Sequence, residues 1–350
     1  MTDQPCPRGI PRKFAEDESM DASLLLRQIT TGYWGSQALY VAAKLGIADQ
    51  LVNGPRSCED LAIVVGAKPE VLYRLLRALA SLGIFTEVSD RQFALTPAAE
   101  LLRSGTAGSL RNLVMMFGEE HYVAWGELLH SIQTGENAFE HHYGAPVFAY
   151  YAQHPASADI FNGAMSDMSR PDTAAVLSSY DFQGIRCLVD VGGGHGQLLS
   201  QILAAYPDLT GILYDQPAVV AGADSVLADV SDRCEVVGGD FFASVPAGGD
   251  AYLLKHIIHD WDDADSLKIL ANCRQVMQPG DRLLLLEQVV RAGNEPNLAK
   301  WLDLNMLVMT QGGRERTQAE FATLLADAGF QLSQIHGTAS EVCIIEGRAI

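Results

Sequence analysis

The sequence predicts a two-part α/β protein, in which a mainly helical N-terminal part precedes a domain with a parallel, doubly wound sheet. Two observations support this prediction. Before Tyr180 the apolar residues recur almost entirely at helical spacing, apart from one short hairpin pattern. After Tyr180, short apolar runs alternate with helical stretches. Because this alternation is typical of βαβ units, it indicates a parallel sheet covered by helices on both faces.

The N-terminal part has the element order of a winged helix. Apolar residues at three- and four-residue spacing predict a helix from Leu24 onward. Ser57, followed by Asp60, forms a capping box that opens a short helix, and Pro69 opens a second one. FTEV and QFALT then flank a turn and predict a hairpin. Residues 1–105 are therefore predicted to be one winged-helix-like domain.

The rest of the chain, residues 106–350, is predicted to be a second domain, which begins with helices over residues 106–180. Its strands are expected at CLVDV, GILYD, CEVVGGD, AYLLKH and RLLLLEQ. Ligands of open α/β sheets bind at the carboxyl ends of the strands. The residues that directly follow these five runs are therefore the candidates for a functional site.

Composition restricts the class of partner. The 350 residues carry a formal net charge of −19, which disfavours nucleic acid and anionic lipid as partners. The six cysteines form no CxxC pair, so we expect free thiols in a reducing compartment. The first residues show no secretory signal, and no apolar run approaches the roughly 20 residues of a membrane span. We therefore expect a cytoplasmic protein without a membrane partner.

A glycine-rich turn follows the first strand, in LVDVGGGHGQLLSQIL. Gly192, Gly194 and Gly196 are spaced G-x-G-x-G, whereas a dinucleotide fingerprint would require glycine where Gln197 stands. Asp190 ends the strand, and a carboxylate there is a poor neighbour for a pyrophosphate but a good one for a cationic ligand with an amino group. The motif therefore favours S-adenosylmethionine over NAD. A purely structural turn is the alternative.

Acidic residues also end the second and third strands. Asp215 can accept hydrogen bonds from both hydroxyls of a ribose, although an ordinary acidic strand end is an equal alternative. Asp240 can accept from an adenine amino group while Phe241 packs on the ring. These strand ends predict a ligand that contains a nucleoside.

Two histidines follow the fourth strand, in LLKHIIHDWDD. The second, His259, is expected at the ligand-binding edge, where an imidazole with an ordinary pKa of about 6.5 can take a proton. A packing or capping role is the alternative. Glu287 ends the next strand and Glu315 lies in QGGRERT, and a carboxylate beside an imidazole fixes its tautomer and stabilises its charged form. Asp260 is a candidate cap of the following helix.

No metal site is predicted. An EF-hand-like spacing in the acidic run would require an acid at position 264 and glycine at 265, where the chain has Ala264 and Asp265. The pair His141 and His142 has no partner at the helical spacing of metal ligands.

Taken together, these motifs resemble the two-domain, metal-independent small-molecule O-methyltransferases, which include plant caffeate-type enzymes and bacterial enzymes of antibiotic and pigment pathways. DVGGGHG, YDQP, GDFF, KHIIHDWDD, LLLLEQ and GGRERT fall in the family's order and spacing over nearly the whole chain. The resemblance implies a Rossmann-like catalytic domain and a winged-helix-like domain that serves homodimerisation. It also implies S-adenosylmethionine as methyl donor and an aromatic small molecule as acceptor.

The resemblance also implies roles for individual residues. His259 is expected to be the general base, flanked by the acids Glu287 and Glu315. The residues expected at the cofactor, including those of the glycine-rich turn, are Asp190, Gly192, Gly194, Asp215, Asp240, Phe241 and Lys255. The residues expected to line the acceptor pocket are Phe161, Met165, Met168 and Met306. Plant enzymes have a histidine where Met168 stands and an asparagine near Thr310, so a larger or more apolar acceptor is expected here.

Two other functions stay open. Lys68, Arg74 and Arg77 lie near the would-be recognition helix of a winged-helix regulator that binds a small ligand. A salt-dependent gel shift on duplex DNA would separate this function from an enzyme. The second alternative is an enzyme of the same fold that acts without a general base, which the presence of His259 disfavours.

Overall fold

The computed structural model of the chain describes residues 21–350, which form two compact units. The N-terminal unit comprises residues 21–126 and Phe148–Met168, and the catalytic unit comprises Glu127–Val147 and Ser169–Ile350. The predicted domain boundary between residues 105 and 106 stays a prediction. The cysteines of the described residues are thiols and not disulfides, and Cys6 lies outside the described residues.

Within residues 21–350 the elements are numbered along the chain. The α-helices are α1 (Ala22–Lys44), α2 (Ile47–Gln50), α3 (Cys58–Val65), α4 (Pro69–Ser81), α5 (Pro97–Glu100), α6 (Arg111–Gly118), α7 (Glu120–Trp125), α8 (Leu128–Thr134), α9 (Ala138–Tyr143), α10 (Val147–Gln153), α11 (Pro155–Ser179), α12 (Gln197–Ala205), α13 (Pro217–Val220), α14 (Asp224–Leu227), α15 (Asp263–Val276), α16 (Leu298–Met309) and α17 (Gln318–Asp327). The strands are β1 (Arg56–Ser57), β2 (Phe85–Ser89), β3 (Gln92–Leu95), β4 (Cys187–Val191), β5 (Thr210–Asp215), β6 (Cys234–Gly238), β7 (Ala251–Lys255), β8 (Arg282–Glu287), β9 (Val289–Val290), β10 (Arg316–Thr317), β11 (Phe330–Gly337) and β12 (Cys343–Ala349). None of the helices in this described part combines the length and the hydropathy that a membrane crossing requires.

The N-terminal unit contains the predicted winged-helix arrangement. Helices α3 and α4 are followed by the hairpin β2–β3, and β1 completes a three-stranded antiparallel sheet in the order β1-β3-β2. Ser57 caps α3 by accepting the N–H of Asp60. Gly66 ends α3 in the left-handed region, and Pro69 occupies the first position of α4. Ser57 and Gly66 mark the ends of α3, where backbone groups need partners, and Pro69 lacks an N–H that the first turn of α4 would leave unpaired.

The catalytic unit is built on a seven-stranded sheet in the order β11-β12-β8-β7-β4-β5-β6. The five strands from β4 to β8 are parallel and coincide with the five predicted apolar runs. The sheet also carries β12 and β11, which pair antiparallel at the edge beside β8. These two antiparallel strands are a feature that the sequence analysis did not predict.

Both faces of the central strands are buried in the core. On β4, Leu188 packs in the core on one face and Val189 in the core on the other, and on β7, Leu253 and Leu254 do the same. Strands buried on both faces consist of continuous apolar residues, as these do. The strand order reverses between β4 and β7, so the loops after these strands leave a crevice at their carboxyl ends. The glycine-rich turn and the histidine segment therefore flank the same crevice.

Candidate active site

The glycine-rich turn after β4 is tied to the end of β5. The N–H of Gly194 donates to Asp215 Oδ2 at 2.8 Å, and the N–H of Gln216 donates to Asp215 Oδ1 at 2.6 Å. Two residues that the sequence placed at the cofactor, Gly194 and Asp215, are therefore in direct contact.

Gly192 brings the turn against the histidine segment. Its φ is +71°, and a Cβ built there would lie 2.4 Å from Ile257 Cδ1 and 3.7 Å from Phe241 Cε1. The backbone conformation therefore favours glycine, and a Cβ at this position would displace the end of the Ile257 side chain. The same contact shows that the Phe241 ring lies beside the turn, and its predicted packing on an adenine ring stays a prediction.

The substitution Gly192→Ala is expected to lower the free energy of unfolding by about 2–4 kcal/mol, since a strained φ adds to a clash. Gly194→Ala is the matched control, because Gly194 has a similar φ of +61° but no heavy atom within 4 Å of a built Cβ. It should cost only the backbone strain, about 1–2 kcal/mol. Urea unfolding of both variants measures the difference. Equal losses would contradict the close approach of Ile257.

Asp190 offers a buried carboxylate at the start of the turn. Its Oδ2 has no hydrogen-bond partner. Burial raises the pKa of Asp190 to about 7, against the opposing charge of Lys255. Because an unpaired buried carboxylate oxygen is costly, a ligand that brings a cationic amino group to it would be stabilised. The acceptor oxygens of Asp190 and Asp215 therefore fit the ammonium and ribose groups of S-adenosylmethionine.

Asp240 and Lys255 occupy different surroundings. Asp240 Oδ1 accepts the N–H of Phe242 at 2.9 Å, directly after β6. Burial lowers the pKa of Lys255, and the charges of Asp172, Asp190 and Glu287 act in the opposite direction. Lys255 therefore lies among acidic groups at the end of β7, and its predicted contact with the adenine end of the cofactor stays a prediction.

His259 is held between three carboxylates. It lies in the 3₁₀ turn Ile258–Asp260, and its Nδ1 is 2.7 Å from Glu315 Oε1. Glu287 Oε2 lies 3.7 Å from the same Nδ1, and Asp260 Oδ1 lies 3.6 Å from Nε2. The structure thus brings together the histidine and the two glutamates that the sequence singled out.

Both glutamates are fixed by backbone contacts. Glu287 Oε1 accepts the N–H groups of Ile257 at 3.1 Å and Ile258 at 2.9 Å, which anchors the histidine segment to the end of β8. The N–H of Glu315 donates to Asp303 Oδ1 at 2.9 Å. Gly313 permits the loop that carries Glu315 to pack against the histidine segment, since a Cβ at Gly313 would lie 2.7 Å from the carbonyl oxygen of His259.

The electrostatics favour a proton on the imidazole. Burial lowers the pKa of His259, but Glu287, Glu315 and Asp260 outweigh burial and raise the pKa to about 10. The pKa of Glu287 is lowered in spite of burial, because His259 and His256 stabilise its charged form. Burial raises the pKa of Glu315. The cluster thus stabilises an imidazolium, as a carboxylate-flanked histidine should.

Arg316 holds the backbone around His259 in place. The sequence analysis did not single out this arginine. Its buried guanidinium donates to the carbonyl oxygens of Ile258 and Trp261, each at 3.0 Å, and to Asp263 Oδ1 at 2.7 Å. The only available signal was its place directly after Glu315 in GGRERT.

The predicted cap Asp260 was wrong. Helix α15 is capped by Asp262, which accepts the N–H of Asp265 at 2.8 Å. Asp260 faces His259 instead, because the 3₁₀ turn displaces the helix start by two residues.

His256 and Asp172 complete the surroundings. His256 has a φ of +54°, rare for a residue with a side chain. Its Nε2 lies 3.6 Å from Asp172 Oδ2, its Nδ1 lies 3.7 Å from Glu287 Oε2, and its ring is stacked 5.1 Å from that of His259. The sequence showed the first histidine of KHIIH, but not that its side chain points into the same cluster.

The remaining candidates are the residues predicted to line an acceptor pocket. Phe161, Met165 and Met168 belong to the N-terminal unit, where Phe161 stacks on Tyr151 with ring centroids 4.8 Å apart. Met306 is buried on α16 of the catalytic unit. Their contribution to an acceptor pocket stays a prediction.

The pair His141 and His142 has partners that its sequence spacing did not show. His141 stacks on His130 with ring centroids 3.7 Å apart, and both His141 and His142 lie within 3.4 Å of Glu127 carboxylate oxygens. These side chains are partly exposed on the catalytic unit.

Comparison with known proteins agrees with this geometry. A family model of the O-methyltransferase domain matches residues 125–331, and one of the O-methyltransferase dimerisation domain matches residues 27–105. A phenazine O-methyltransferase from Lysobacter antibioticus is 49% identical over 94% of this chain and 96% of its own length. The crystal structure of LaPhzM superposes with a TM-score of 0.91 at 48% identity, covering 95% of this chain and all of the other.

A further relative was solved with its ligands. This is the O-methyltransferase NcsB1 of neocarzinostatin biosynthesis, in complex with S-adenosylmethionine and 2-hydroxy-5-methyl naphthoic acid. It has a TM-score of 0.78 at 34% identity and covers 90% of this chain and 96% of its own. The chain described here therefore belongs to the S-adenosylmethionine-dependent O-methyltransferases that combine a dimerisation domain with a Rossmann-like catalytic domain.

Proposed function

We propose that this O-methyltransferase methylates a phenolic hydroxyl of an aromatic small molecule, with His259 as the general base. The observation that carries the proposal is the contact of 2.7 Å between His259 Nδ1 and Glu315 Oε1, beside the buried Glu287. The relatives support the acceptor class, because their names specify a phenazine and a naphthoic acid.

The cofactor residues would hold the donor on the β4 and β5 side of the crevice. Asp190 would bind the ammonium group, Asp215 the ribose, and Phe241 would pack on the adenine. When bound, S-adenosylmethionine supplies a methyl group on a sulfonium, so the leaving group needs no activation. The protein must then supply an oxygen nucleophile held in line with that methyl group.

His259 would generate that nucleophile. Because Glu315 can only accept while it is ionised, Nδ1 carries the proton of their contact and Nε2 is the atom available to the acceptor. A phenol has a pKa of about 10 and is mostly protonated at neutral pH. The carboxylates around His259 raise its pKa, which makes unprotonated Nε2 a stronger acceptor for the phenol proton.

The raised pKa of His259 predicts the pH dependence of the rate. Nε2 must be unprotonated to act, so kcat/KM should still be rising at pH values above the ordinary histidine pKa of about 6.5. Glu315→Gln removes a charge that raises the pKa of His259, so the acid limb of the profile should move to lower pH. The exposed Glu235→Gln is the control, and its profile should match that of the wild type. An acid limb that stays in place in Glu315→Gln would contradict the coupling.

We further propose that Phe161, Met165, Met168 and Met306 line the acceptor pocket and that two chains form a homodimer. Support for the dimer comes from the match of residues 27–105 to the dimerisation domain of the family. Light scattering with size-exclusion chromatography tests it. We expect a cytoplasmic enzyme, because the cysteines of the described residues are free thiols. We also expect that it does not bind nucleic acid, because the net charge is −19. A gel shift with duplex DNA at low salt should therefore be negative.

A further inference from the structure

The cluster around His259 contains another histidine, His256, which the proposed reaction does not use. His256 Nδ1 and His259 Nδ1 each lie 3.7 Å from Glu287 Oε2. Among residues 21–350, these three side chains form a group whose ligand atoms lie within 4.8 Å of one another. Two imidazole nitrogens and a carboxylate oxygen are the donor set of many zinc sites.

Two of these atoms are buried without a hydrogen-bond partner. His256 Nδ1 and Glu287 Oε2 face each other, but the distance of 3.7 Å is too long for a hydrogen bond. An unpaired polar atom in a protein interior costs about 1–3 kcal/mol. A cation between the two atoms would use both lone pairs at once.

The backbone conformation of His256 directs its ring toward Glu287. A residue with a side chain seldom adopts a φ near the +54° of His256. In this conformation, Nε2 lies near Asp172 and Nδ1 is left to face Glu287. A ligand imidazole is commonly oriented by a carboxylate at its other nitrogen, as Asp172 would do here.

Glu315 lies beside His259 but outside this group of three side chains. Glu315 Oε1 already lies 2.7 Å from His259 Nδ1, and Glu315 Oε2 has no hydrogen-bond partner. Tetrahedral zinc with bonds of about 2.0–2.2 Å places its ligand atoms about 3.3–3.6 Å apart. The Nδ1 atoms of His256 and His259, each 3.7 Å from Glu287 Oε2, would therefore need to approach that oxygen only slightly. Magnesium and calcium are disfavoured, because they prefer six or more oxygen ligands.

We propose that His256, His259 and Glu287 bind a divalent cation of the zinc class with an open fourth position, and that this binding inhibits the enzyme. A metal on His259 Nδ1 displaces the proton that Nδ1 shares with Glu315 and leaves the ring proton on Nε2. Nε2 then has no lone pair for the proton of the acceptor. The inhibition, but not the binding, rests on the proposed role of His259 as base.

The binding is tested with cobalt(II), whose visible absorption reports a tetrahedral site and distinguishes nitrogen and oxygen ligands from thiolates. Tag-free, full-length protein should bind one cobalt ion with a nitrogen- and oxygen-type spectrum, and zinc should displace it. His256→Asn keeps a residue that tolerates positive φ but removes the ligand nitrogen, so affinity should fall at least about tenfold. His141→Asn is the matched control, because it removes a partly exposed imidazole that stacks on another histidine.

Each result decides the proposal. Loss of the spectrum in His256→Asn but not in His141→Asn, with zinc inhibition that a chelator reverses, is the expected outcome. No tetrahedral spectrum, or equal affinity in wild type and His256→Asn, would overturn the site and leave the proposed function intact. Binding that depends on His256 without inhibition of methyl transfer would overturn the inhibitory role and would count against His259 as the base.

Discussion

The substitution His259→Asn should lower kcat by about 10²–10⁴-fold, because a positioned general base contributes a factor of this size. The KM values for donor and acceptor should change little. His259 is fixed by Glu315 and Glu287 through contacts of its own Nδ1, and Glu287 is independently anchored by the N–H groups of Ile257 and Ile258. The loss should therefore remain local to the proton transfer. Steady-state kinetics with saturating donor measures it.

The pH dependence of the variant provides the internal control. Without a base, the rate should depend on acceptor that is already ionised, and it should rise with pH toward the phenol pKa of about 10. The surface variant His141→Asn should retain the wild-type rate. A His259→Asn enzyme with the wild-type kcat at neutral pH would contradict the role of the base and favour the alternative in which the fold acts by proximity alone.

The substitution Asp215→Ala should weaken S-adenosylmethionine binding by at least about 100-fold. Two hydrogen bonds from ribose hydroxyls to a carboxylate contribute about 1.5–3 kcal/mol each, and about 1.4 kcal/mol corresponds to a factor of ten. Asp215 also accepts the N–H of Gly194, so its removal releases the glycine-rich turn as well. Isothermal titration calorimetry of the folded variant measures the change.

Asp208→Ala is the matched control for this experiment, since Asp208 is exposed after α12 and should leave donor binding unchanged. Circular dichroism verifies that both variants are folded. Wild-type affinity in a folded Asp215→Ala protein would contradict the placement of the ribose at the end of β5.

Local signals in the sequence were sufficient to predict most of the fold. The five parallel strands were predictable because strands buried on both faces are continuous apolar runs. Strand β11 was not predictable in this way. It is an edge strand, FQLSQIHG, with several polar and exposed side chains, so it lacks the apolar run that marked the others. Its pairing with β12 is a tertiary contact that no local pattern records.

The candidate site likewise contains residues that the sequence could predict and residues that it could not. Residues at strand ends, such as Asp215 and Glu287, were predictable because parallel strands bring their carboxyl ends to one edge. The contact of His259 with Glu315 joins residues 56 positions apart, and the family resemblance suggested it where periodicity could not. The left-handed backbone of His256 and the buried guanidinium of Arg316 depend on the packing of several loops, so they became visible only in the structure.

The measurement that tests the central claim most directly is methyl transfer from S-adenosylmethionine carrying a ¹³C-labelled methyl group, with hydroxylated phenazines and naphthoic acids as acceptors. The ¹³C chemical shift of the product distinguishes a methyl group on oxygen from one on nitrogen. The account predicts an aryl methoxy product that forms with the wild-type enzyme and is strongly reduced with His259→Asn. A methyl group found on nitrogen, or a methoxy product formed equally well by His259→Asn, would contradict it.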